Sequence, residues 1–252
     1  MKIGILEAGL VRTELADRFD PYPVMFGHLL DLAGKDLEYA SYSWVRGRLP
    51  ASIHDCDGWL ISGSRHGVYD ELDWMAPMQE FIREVAQAQL PLIGVCFGHQ
   101  IVAAALGGEV VKSERGWGVG VHSYDVDRNY SWMRQPSPSS VAMYAFHQDQ
   151  VVTLPPSAEV FLSSDFCPYA GLSYGDSIIS VQAHPEFEEA YEQALLQMFG
   201  GTLIPAEVSQ AALDAMQAGA RADTRVLADW FAEFFLSRAP GSESQRLRSD
   251  NS

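Results

Sequence analysis

The stretch of sequence that decides the fold is PLIGVCFGHQ, residues 91–100. An apolar run leads directly into Cys96 and then into a segment with helical spacing, Phe97 to Leu106. A sharp turn from a strand into a helix strains the backbone of its central residue, and only small neighbours fit beside it. Gly94 and Gly98 are such neighbours, so the stretch predicts a nucleophile elbow with Cys96 at its tip.

Apolar runs typical of strands alternate with helical segments on either side of this stretch. The strand-like runs are Lys2 to Glu7, Leu37 to Trp44, Gly58 to Ile61 and Leu92 to Val95, and helical spacing covers Val24 to Ala33 and Met78 to Ala88. Short continuous apolar runs are typical of buried parallel strands, with helices covering both faces of the sheet. The first half of the chain therefore predicts an α/β fold with a doubly wound, mostly parallel sheet.

The second half of the chain has a different character. β-Branched and aromatic residues, separated by Gly and Pro, fill residues 109–126 and 141–164 and predict additional antiparallel strands. One more apolar strand is predicted from Ile178 to Ala183. Helices are predicted at Glu188 to Phe199, Ala206 to Ala218 and Thr224 to Leu236. The apolar stripe of the last helix is wide enough to predict packing on the core.

The composition excludes several classes of partner. The 252 residues include 33 Asp and Glu against 17 Lys and Arg, which gives a net charge of −16. A chain this acidic lacks the basic face that binds a nucleic acid backbone or an anionic membrane, so we expect neither partner. The N-terminal residues have the pattern of a strand rather than of a signal peptide, and no apolar run approaches about 18 residues. These features predict a cytoplasmic protein.

The cysteines point to chemistry rather than to a structural role. Cys56, Cys96 and Cys167 are widely spaced and form no Cys/His pattern typical of zinc, so we expect neither a disulfide framework nor a metal site. Cys96 would stand at the N-terminus of the predicted helix, where the dipole and free N–H groups favour the thiolate. The backbone N–H of Phe97 would then face a developing oxyanion.

A nucleophilic cysteine needs a base and a group that orients the base. The best candidate among the seven histidines is His184, which stands in VQAHPE at the end of a predicted strand. Functional groups gather at the carboxyl ends of strands in an open parallel sheet, and Cys96 and His184 both follow such ends. Glu186 lies two residues further on, within reach of the imidazole across a short turn. The sequence therefore predicts a triad of Cys96, His184 and Glu186.

The motifs GVCFGHQ at residues 94–100 and HPE at residues 184–186 together resemble the class I (triad) glutamine amidotransferases, over about residues 1–200. The resemblance implies that the cysteine attacks the γ-carboxamide of glutamine, that ammonia leaves, and that water hydrolyses a γ-glutamyl thioester. Cys96, His184 and Glu186 match the nucleophile, the base and the orienting acid. A thiolate, an imidazole and an oxyanion hole suffice for this chemistry, so no cofactor is expected.

The same resemblance implies a second oxyanion donor. The segment SGSR at residues 62–65 stands where the family usually carries Ser-Gly-Gly-Pro, in the loop that donates this second N–H. Ser64 and Arg65 depart from the pattern. The donor is therefore expected at Gly63 or Ser64, beside the N–H of Phe97.

Four further positions are candidates for binding the substrate. Gln100 matches the glutamine that helps to hold the amino-acid end of the substrate, and Trp117 and Gly118 match a segment that lines the same pocket. His147 lies in the segment FHQD, which resembles the family's His-x-Asp loop near the active site. His147 is therefore a poorer candidate for the base than His184 and a candidate pocket residue.

The expected architecture is a flavodoxin-like doubly wound, mostly parallel sheet with helices on both faces, additional antiparallel strands and a C-terminal helical extension. Residues 1–200 are expected to form the amidotransferase-like domain, and residues 201–238 a helical extension packed on it. Residues 239–252, rich in Ser and Arg, are expected to be a disordered tail.

Three functions stay open on the sequence. The first is Cys-dependent hydrolysis of a γ-glutamyl amide, either glutamine or a larger γ-glutamyl compound, as in the free-standing branch that includes plant γ-glutamyl peptidases. The second is a glutaminase subunit; because no phosphate-binding P-loop or pyrophosphatase-type loop is present, a separate synthase would receive the ammonia. The third is a DJ-1-like redox or chaperone protein, which would not need His184 and Glu186.

Overall fold

A nine-stranded sheet forms the centre of the fold. The computed structural model describes residues 1–133 and 135–238, and the expected disordered tail at residues 239–252 lies outside these described residues. The strands are β1 (Lys2–Glu7), β2 (Glu38–Ser43), β3 (Gly58–Ile61), β4 (Leu92–Val95), β5 (Glu109–Lys112), β6 (Gly118–Val126), β7 (Ser140–His147), β8 (Asp149–Thr153), β9 (Ala158–Ser163), β10 (Gly171–Tyr174) and β11 (Ile178–Val181). The helices are α1 (Tyr22–Asp31), α2 (Met75–Gln87), α3 (Phe97–Ala105), α4 (Glu189–Phe199), α5 (Ala206–Gln217) and α6 (Thr224–Leu236).

The sheet has the strand order β2-β1-β3-β4-β11-β10-β9-β6-β7. The strands from β2 to β11 in this order are parallel to one another, whereas β10, β9, β6 and β7 continue the sheet in antiparallel pairs. β5 and β8 form a separate antiparallel ribbon. This topology confirms the predicted flavodoxin-like α/β fold with added antiparallel strands.

Helices cover both faces of the parallel strands because successive side chains of a strand point to opposite faces. In β1, Ile3 and Ile5 pack in one cluster with side chains of α1 and α6. Leu6 points the other way and packs with side chains of α2 and α3. A third cluster joins α4 and α5 to the antiparallel strands β6 and β7. The core is therefore divided by the sheet into layers, as the alternation of strands and helices predicts.

The last helix is part of the largest of these layers. The buried residues of α6 in the cluster with β1 and α1 are Leu227, Ala228, Trp230, Phe231, Phe234 and Phe235. This burial confirms that its apolar stripe packs on the core. The division into a domain at residues 1–200 and an extension at residues 201–238 stays a prediction, and α6 contacts both α1 and β7.

Three details differ from the sequence-based expectations. Of the additional antiparallel strands, β6, β7 and β9 continue the parallel sheet through β10, which pairs with β11, whereas β5 and β8 form the separate ribbon. β10, with the sequence GLSY, was not predicted: its four residues are all buried and show no alternation of apolar and polar side chains. β2 ends at Ser43 rather than Trp44, which begins a short 3₁₀ turn closed by Gly47 at φ 71°.

Candidate active site

The junction between β4 and α3 holds Cys96 in a strained conformation, with φ 54° and ψ −105°. A Cβ atom on Gly94 would lie 2.5 Å from the carbonyl oxygen of Gly98, and one on Gly98 would lie 2.3 Å from that of Ile61. Real Cβ atoms do not approach so closely, so only glycine fits at both positions. The turn is therefore as tight as the motif predicts, and it presents Cys96 at the start of α3.

His184 reaches the same edge of the sheet because β11 lies parallel to β4, with Val181 opposite Val95. The backbone N–H of His184 donates to the carbonyl of Tyr144 at 2.7 Å, which ties the turn after β11 to β7. The imidazole stacks on the ring of Phe187 with 3.9 Å between centroids. These contacts hold the ring beside Cys96, and both residues line one small cavity.

Glu186 holds the other side of the imidazole. Its Oε1 lies 2.8 Å from Nδ1 of His184, and both side chains are almost completely buried. Burial lowers the pKa of His184, but the charges of Cys96 and Glu186 and their hydrogen bonds raise it more, so the pKa lies well above its ordinary value. These neighbours favour the charged imidazole, in which Nδ1–H donates to the carboxylate of Glu186.

The loop after β3 lies directly against these residues. A Cβ atom on Gly63 would lie 2.9 Å from Cε1 of His184 and 3.6 Å from Cβ of Cys96. The hydroxyl of Ser62 accepts from the N–H of Ala8 at 3.0 Å and donates to the carbonyl of Gly63 at 3.0 Å, which anchors the loop to the end of β1. In the part of the chain that the structure describes, the backbone N–H groups of Gly63, Ser64 and Phe97 have no acceptor.

Two cavities meet at Cys96. The larger, of about 270 Å³, is lined by Gln100, Trp117 and His147 among others. The smaller, of about 60 Å³, is lined by His184 and by Ser64. Gly118 lines neither cavity: it is buried under Phe166, where a Cβ atom would lie 2.5 Å from the ring.

Gln100 and His147 are both held by the segment that follows β7. Nε2 of Gln100 donates to the carbonyl of Asp149 at 3.0 Å and to Oε1 of Gln182 at 3.1 Å. Nδ1 of His147 lies 3.2 Å from the same Asp149 carbonyl. Burial lowers the pKa of His147 to about 3, so its imidazole is neutral. His147 lines a cavity with Cys96 but, unlike His184, forms no ion pair with a carboxylate among the described residues.

Several residues of the site were not found from the sequence. Arg12, Tyr69 and Lys112 line the larger cavity, and Arg12 lines the smaller one as well. None belongs to a motif. The available signal for Arg12 is its position in the loop after β1, at the carboxyl edge of the parallel strands, where functional groups gather.

Glu192 is a second buried carboxyl group near His184. Its Oε1 accepts from the N–H of Gly120 at 2.8 Å, and its Oε2 has no partner among the described residues. Burial raises the pKa of Glu192 to about 8, so it is protonated at neutral pH. This side chain ties α4 to β6, the strand that follows Trp117.

A third cavity, of about 420 Å³, does not include Cys96. It is lined by Glu186, Phe187 and Tyr191 together with side chains of α1.

Among residues 1–133 and 135–238, no group of three or more His, Cys, Asp or Glu side chains could hold a metal ion. Within the same residues, no helix has the length and hydropathy needed to cross a membrane.

Comparisons with known proteins identify what this chain is similar to. A family model described as "Glutamine amidotransferase class-I" matches residues 36–208. The chain is 32% identical over 138 residues to gamma-glutamyl peptidase 3 of Arabidopsis thaliana, an alignment that covers 53% of this chain and 55% of that protein. It is 29% identical over 164 residues to a component of the glutamine-hydrolyzing GMP synthase of Sulfolobus acidocaldarius, covering 64% and 85% of the two chains. The chain thus spans just over half the length of the plant relative.

Solved structures share the fold. A glutamine amidotransferase from Thermotoga maritima superimposes with a TM-score of 0.71 at 16% identity, covering 94% of this chain and 97% of that one. A glutamine amidotransferase from Methylobacillus flagellatus superimposes with a TM-score of 0.69 at 20% identity, covering 95% of each chain. Since the family model covers more than half of the sequence, this chain belongs to the class I glutamine amidotransferase family.

Proposed function

We propose that this protein hydrolyses a γ-glutamyl amide bond through a γ-glutamyl thioester on Cys96. The observation that carries the proposal is the arrangement at the edge of the sheet. Cys96 stands at a strained strand-to-helix turn beside His184, whose Nδ1 lies 2.8 Å from Oε1 of Glu186. A nucleophile, a base and a group that orients the base are the parts that acyl transfer through a thiol requires.

The first half of the reaction forms the thioester. The Cys96 thiolate attacks the γ-carbonyl carbon, and the carbonyl oxygen becomes an oxyanion. The N–H of Phe97, together with that of Gly63 or Ser64, would bind this oxyanion, since these groups have no acceptor within the described residues. His184 then donates its Nε2 proton to the leaving nitrogen, the C–N bond breaks, and the amine departs.

The second half releases glutamate. His184, now neutral, takes a proton from water, and the resulting hydroxide attacks the thioester carbonyl. The C–S bond breaks, the thiolate returns, and the imidazolium is restored. Glu186 keeps Nδ1 protonated and stabilises the imidazolium in both halves, which is the role an orienting carboxylate has in a triad.

The larger cavity is the proposed site of the glutamyl part of the substrate. It has a volume of about 270 Å³ and is lined by Cys96 together with Gln100, Trp117 and His147. The neutral His147 would serve as a hydrogen-bonding group rather than as a second base, because burial lowers its pKa to about 3. Gly118 would not contact the substrate, because it packs against the ring of Phe166 and lines neither cavity.

A second candidate function is that of a glutaminase subunit for a separate synthase. It is favoured by the relative that is named as a component of GMP synthase, of which this chain covers 85%. In that case the amine released is ammonia, and the chain alone would turn over slowly until its partner binds. The site and the mechanism are the same, and only the fate of the leaving amine differs.

The experiment measures amine release from L-glutamine and from a panel of γ-glutamyl amides by the purified chain. We expect Cys96→Ala to abolish release, because it removes the nucleophile. Cys56→Ala is the matched control, since Cys56 is equally buried but belongs to a core cluster and lines neither cavity at Cys96. Full activity in Cys96→Ala would refute the mechanism. Negligible turnover of every substrate, with Cys96 still open to alkylation, would favour the glutaminase subunit.

A further inference from the structure

Two tyrosines lie beside the proposed catalytic base. Tyr22, from α1, and Tyr191, from α4, line the smaller cavity at Cys96 but not the larger one. His184 has the same distribution, whereas the other polar side chains of the smaller cavity line both cavities. The polar groups that are particular to the smaller cavity are therefore the base and the two tyrosines.

The rings of the two tyrosines pack around Phe187, the ring that stacks on His184. Tyr22 is stacked on Phe187 with 6.3 Å between centroids and 12° between the ring planes. Tyr191 meets Phe187 edge-on, with 4.7 Å between centroids. Tyr191 is buried and Tyr22 is half-buried. This packing fixes both tyrosine rings relative to the imidazole.

The tyrosine pair has one O–H proton to spare. The two hydroxyl oxygens lie 3.2 Å apart, so one hydroxyl donates to the other. Burial raises the pKa of Tyr22 well above its ordinary value, and Tyr191 and the charges of Glu186 and Cys96 raise it further. Burial also raises the pKa of Tyr191 to about 12, so both hydroxyls are protonated at neutral pH. Their mutual hydrogen bond uses one proton, and the other has no acceptor among the described residues.

The smaller cavity has the size and the lining that a reacting water needs. Its volume is about 60 Å³, and a water molecule occupies roughly 30 Å³ in the liquid, so there is room for about two waters. In the proposed mechanism neutral His184 takes a proton from the attacking water, which must therefore lie in the cavity that His184 lines. A water held there needs at least two polar partners. His184 accepts one of its protons, and the spare O–H of the tyrosine pair can donate to its oxygen.

We propose that Tyr22 and Tyr191 bind the water that hydrolyses the thioester. Tyr22, the more exposed of the two, donates to the water oxygen, and Tyr191 donates to Tyr22 and so positions it. The water donates to Nε2 of His184; as this proton moves to the imidazole, the oxygen bonds to the thioester carbon and the C–S bond breaks. The inference rests on the proposed function and deepens it. It concerns the second half of the reaction only, because the amine has already left.

The test separates the two halves of the reaction in the full chain, with L-glutamine and γ-glutamyl-4-nitroanilide as substrates. Tyr22→Phe removes the hydroxyl and keeps the ring. Loss of the glutamyl adduct from Cys96, followed by rapid quenching and mass spectrometry of the intact protein, should slow by about tenfold, the effect of one hydrogen bond. The adduct should accumulate, while kcat/KM, which reports the formation of the thioester, should stay unchanged. Tyr191→Phe leaves Tyr22 in place and should slow the loss of the adduct by a smaller factor.

The matched control is Tyr39→Phe. The hydroxyl of Tyr39 donates to Oδ1 of Asp31 at 2.8 Å in an exposed position, and Tyr39 lines neither cavity at Cys96. This variant also loses one tyrosine hydroxyl and its hydrogen bond. Its adduct should disappear at the rate of the unmodified protein.

The outcomes separate this inference from the proposed function. Loss of the adduct at the unmodified rate in Tyr22→Phe, or a fall in kcat/KM with no accumulation of the adduct, would overturn the inference. The proposed function would stand in either case if amine release still requires Cys96. If the unmodified protein forms no adduct and releases no amine from either substrate in a Cys96-dependent manner, the proposed function fails and the inference fails with it.

Discussion

At the scale of single residues, the charge on His184 depends on two neighbours. Burial by itself would lower the pKa of this imidazole, and the charges of Cys96 and Glu186 reverse the effect. The pair of His184 and Glu186 is buried, so water screens their attraction only weakly. A change of charge at Glu186 should therefore change the pKa of His184, the proposed proton donor.

The first prediction concerns Glu186→Gln. Glutamine keeps an acceptor for Nδ1–H of His184 but loses the charge that raises the pKa of the imidazole. The pKa should fall, so the imidazolium should be lost at a lower pH, and the basic limb of the profile of kcat/KM against pH should move to lower pH. Turnover should also fall by about 10²-fold, as for other disturbed acid–base groups.

The control for this variant is Glu188→Gln, the same substitution two residues away at an exposed position. Its profile should match that of the unmodified protein. An unchanged basic limb in Glu186→Gln would mean that Glu186 does not set the charge of His184, even if turnover falls for another reason.

At the scale of elements, the junction of β4 and α3 depends on close contact between backbones. Gly98 lies in the first turn of α3 against Ile61 at the end of β3, and no side chain fits between them. The same contact brings Cys96 next to the loop that carries Gly63. The packing of β3 against α3 therefore also determines the position of the proposed nucleophile, Cys96.

The second prediction compares two glycine-to-alanine variants. Gly98→Ala should destabilise the protein by about 1–3 kcal/mol through overpacking, because its Cβ would lie 2.3 Å from the carbonyl oxygen of Ile61. Gly27→Ala, inside α1, has its nearest contact at 3.6 Å and should stabilise the helix by about 0.5–1 kcal/mol. The free energy of unfolding of each variant is measured by unfolding in urea. Equal stability of Gly98→Ala and the unmodified protein would contradict the close packing of β3 and α3.

At the scale of the whole molecule, α6 covers the parallel strands together with α1. Its aromatic side chains share one cluster with β1 and with residues of β9 and β11. Residues distant in sequence thus bury a common apolar surface, whose removal from water stabilises the fold by roughly 25 cal/mol per Å². On this basis α6 should unfold together with the sheet.

The third prediction tests this cooperativity with Phe231→Ala. Removal of this buried ring should lower the free energy of unfolding by about 3–5 kcal/mol through the cavity it leaves. Arg225→Ala, on the exposed side of the same helix, removes only an ion pair to Asp229 and should cost at most about 0.5 kcal/mol. If Phe231→Ala melts α6 at a lower temperature and leaves the unfolding of the sheet unchanged, α6 is a separate unit.

The elements that the sequence predicted well are those that a local pattern encodes. The strand Leu92–Val95 and the helix Thr224–Leu236 have the bounds that apolar runs and helical spacing predict. The resemblance to class I glutamine amidotransferases was likewise carried by two short motifs and is confirmed by the family model. Spacing within one element depends on the 2.0 and 3.6 residue periods of the backbone, so it can be read without any tertiary contact.

The sequence by itself determined the elbow around Cys96 and the proximity of His184 to Glu186, because steric fit at a tight turn and a separation of two residues are local properties. Only the tertiary structure decided that β10 joins the antiparallel strands to the parallel sheet, and that Arg12 and Arg65 line one cavity with Cys96. The physical reason is that contacts between segments distant in sequence depend on which strands pair across the sheet. That pairing is the outcome of burial summed over the whole chain, and no short segment encodes it.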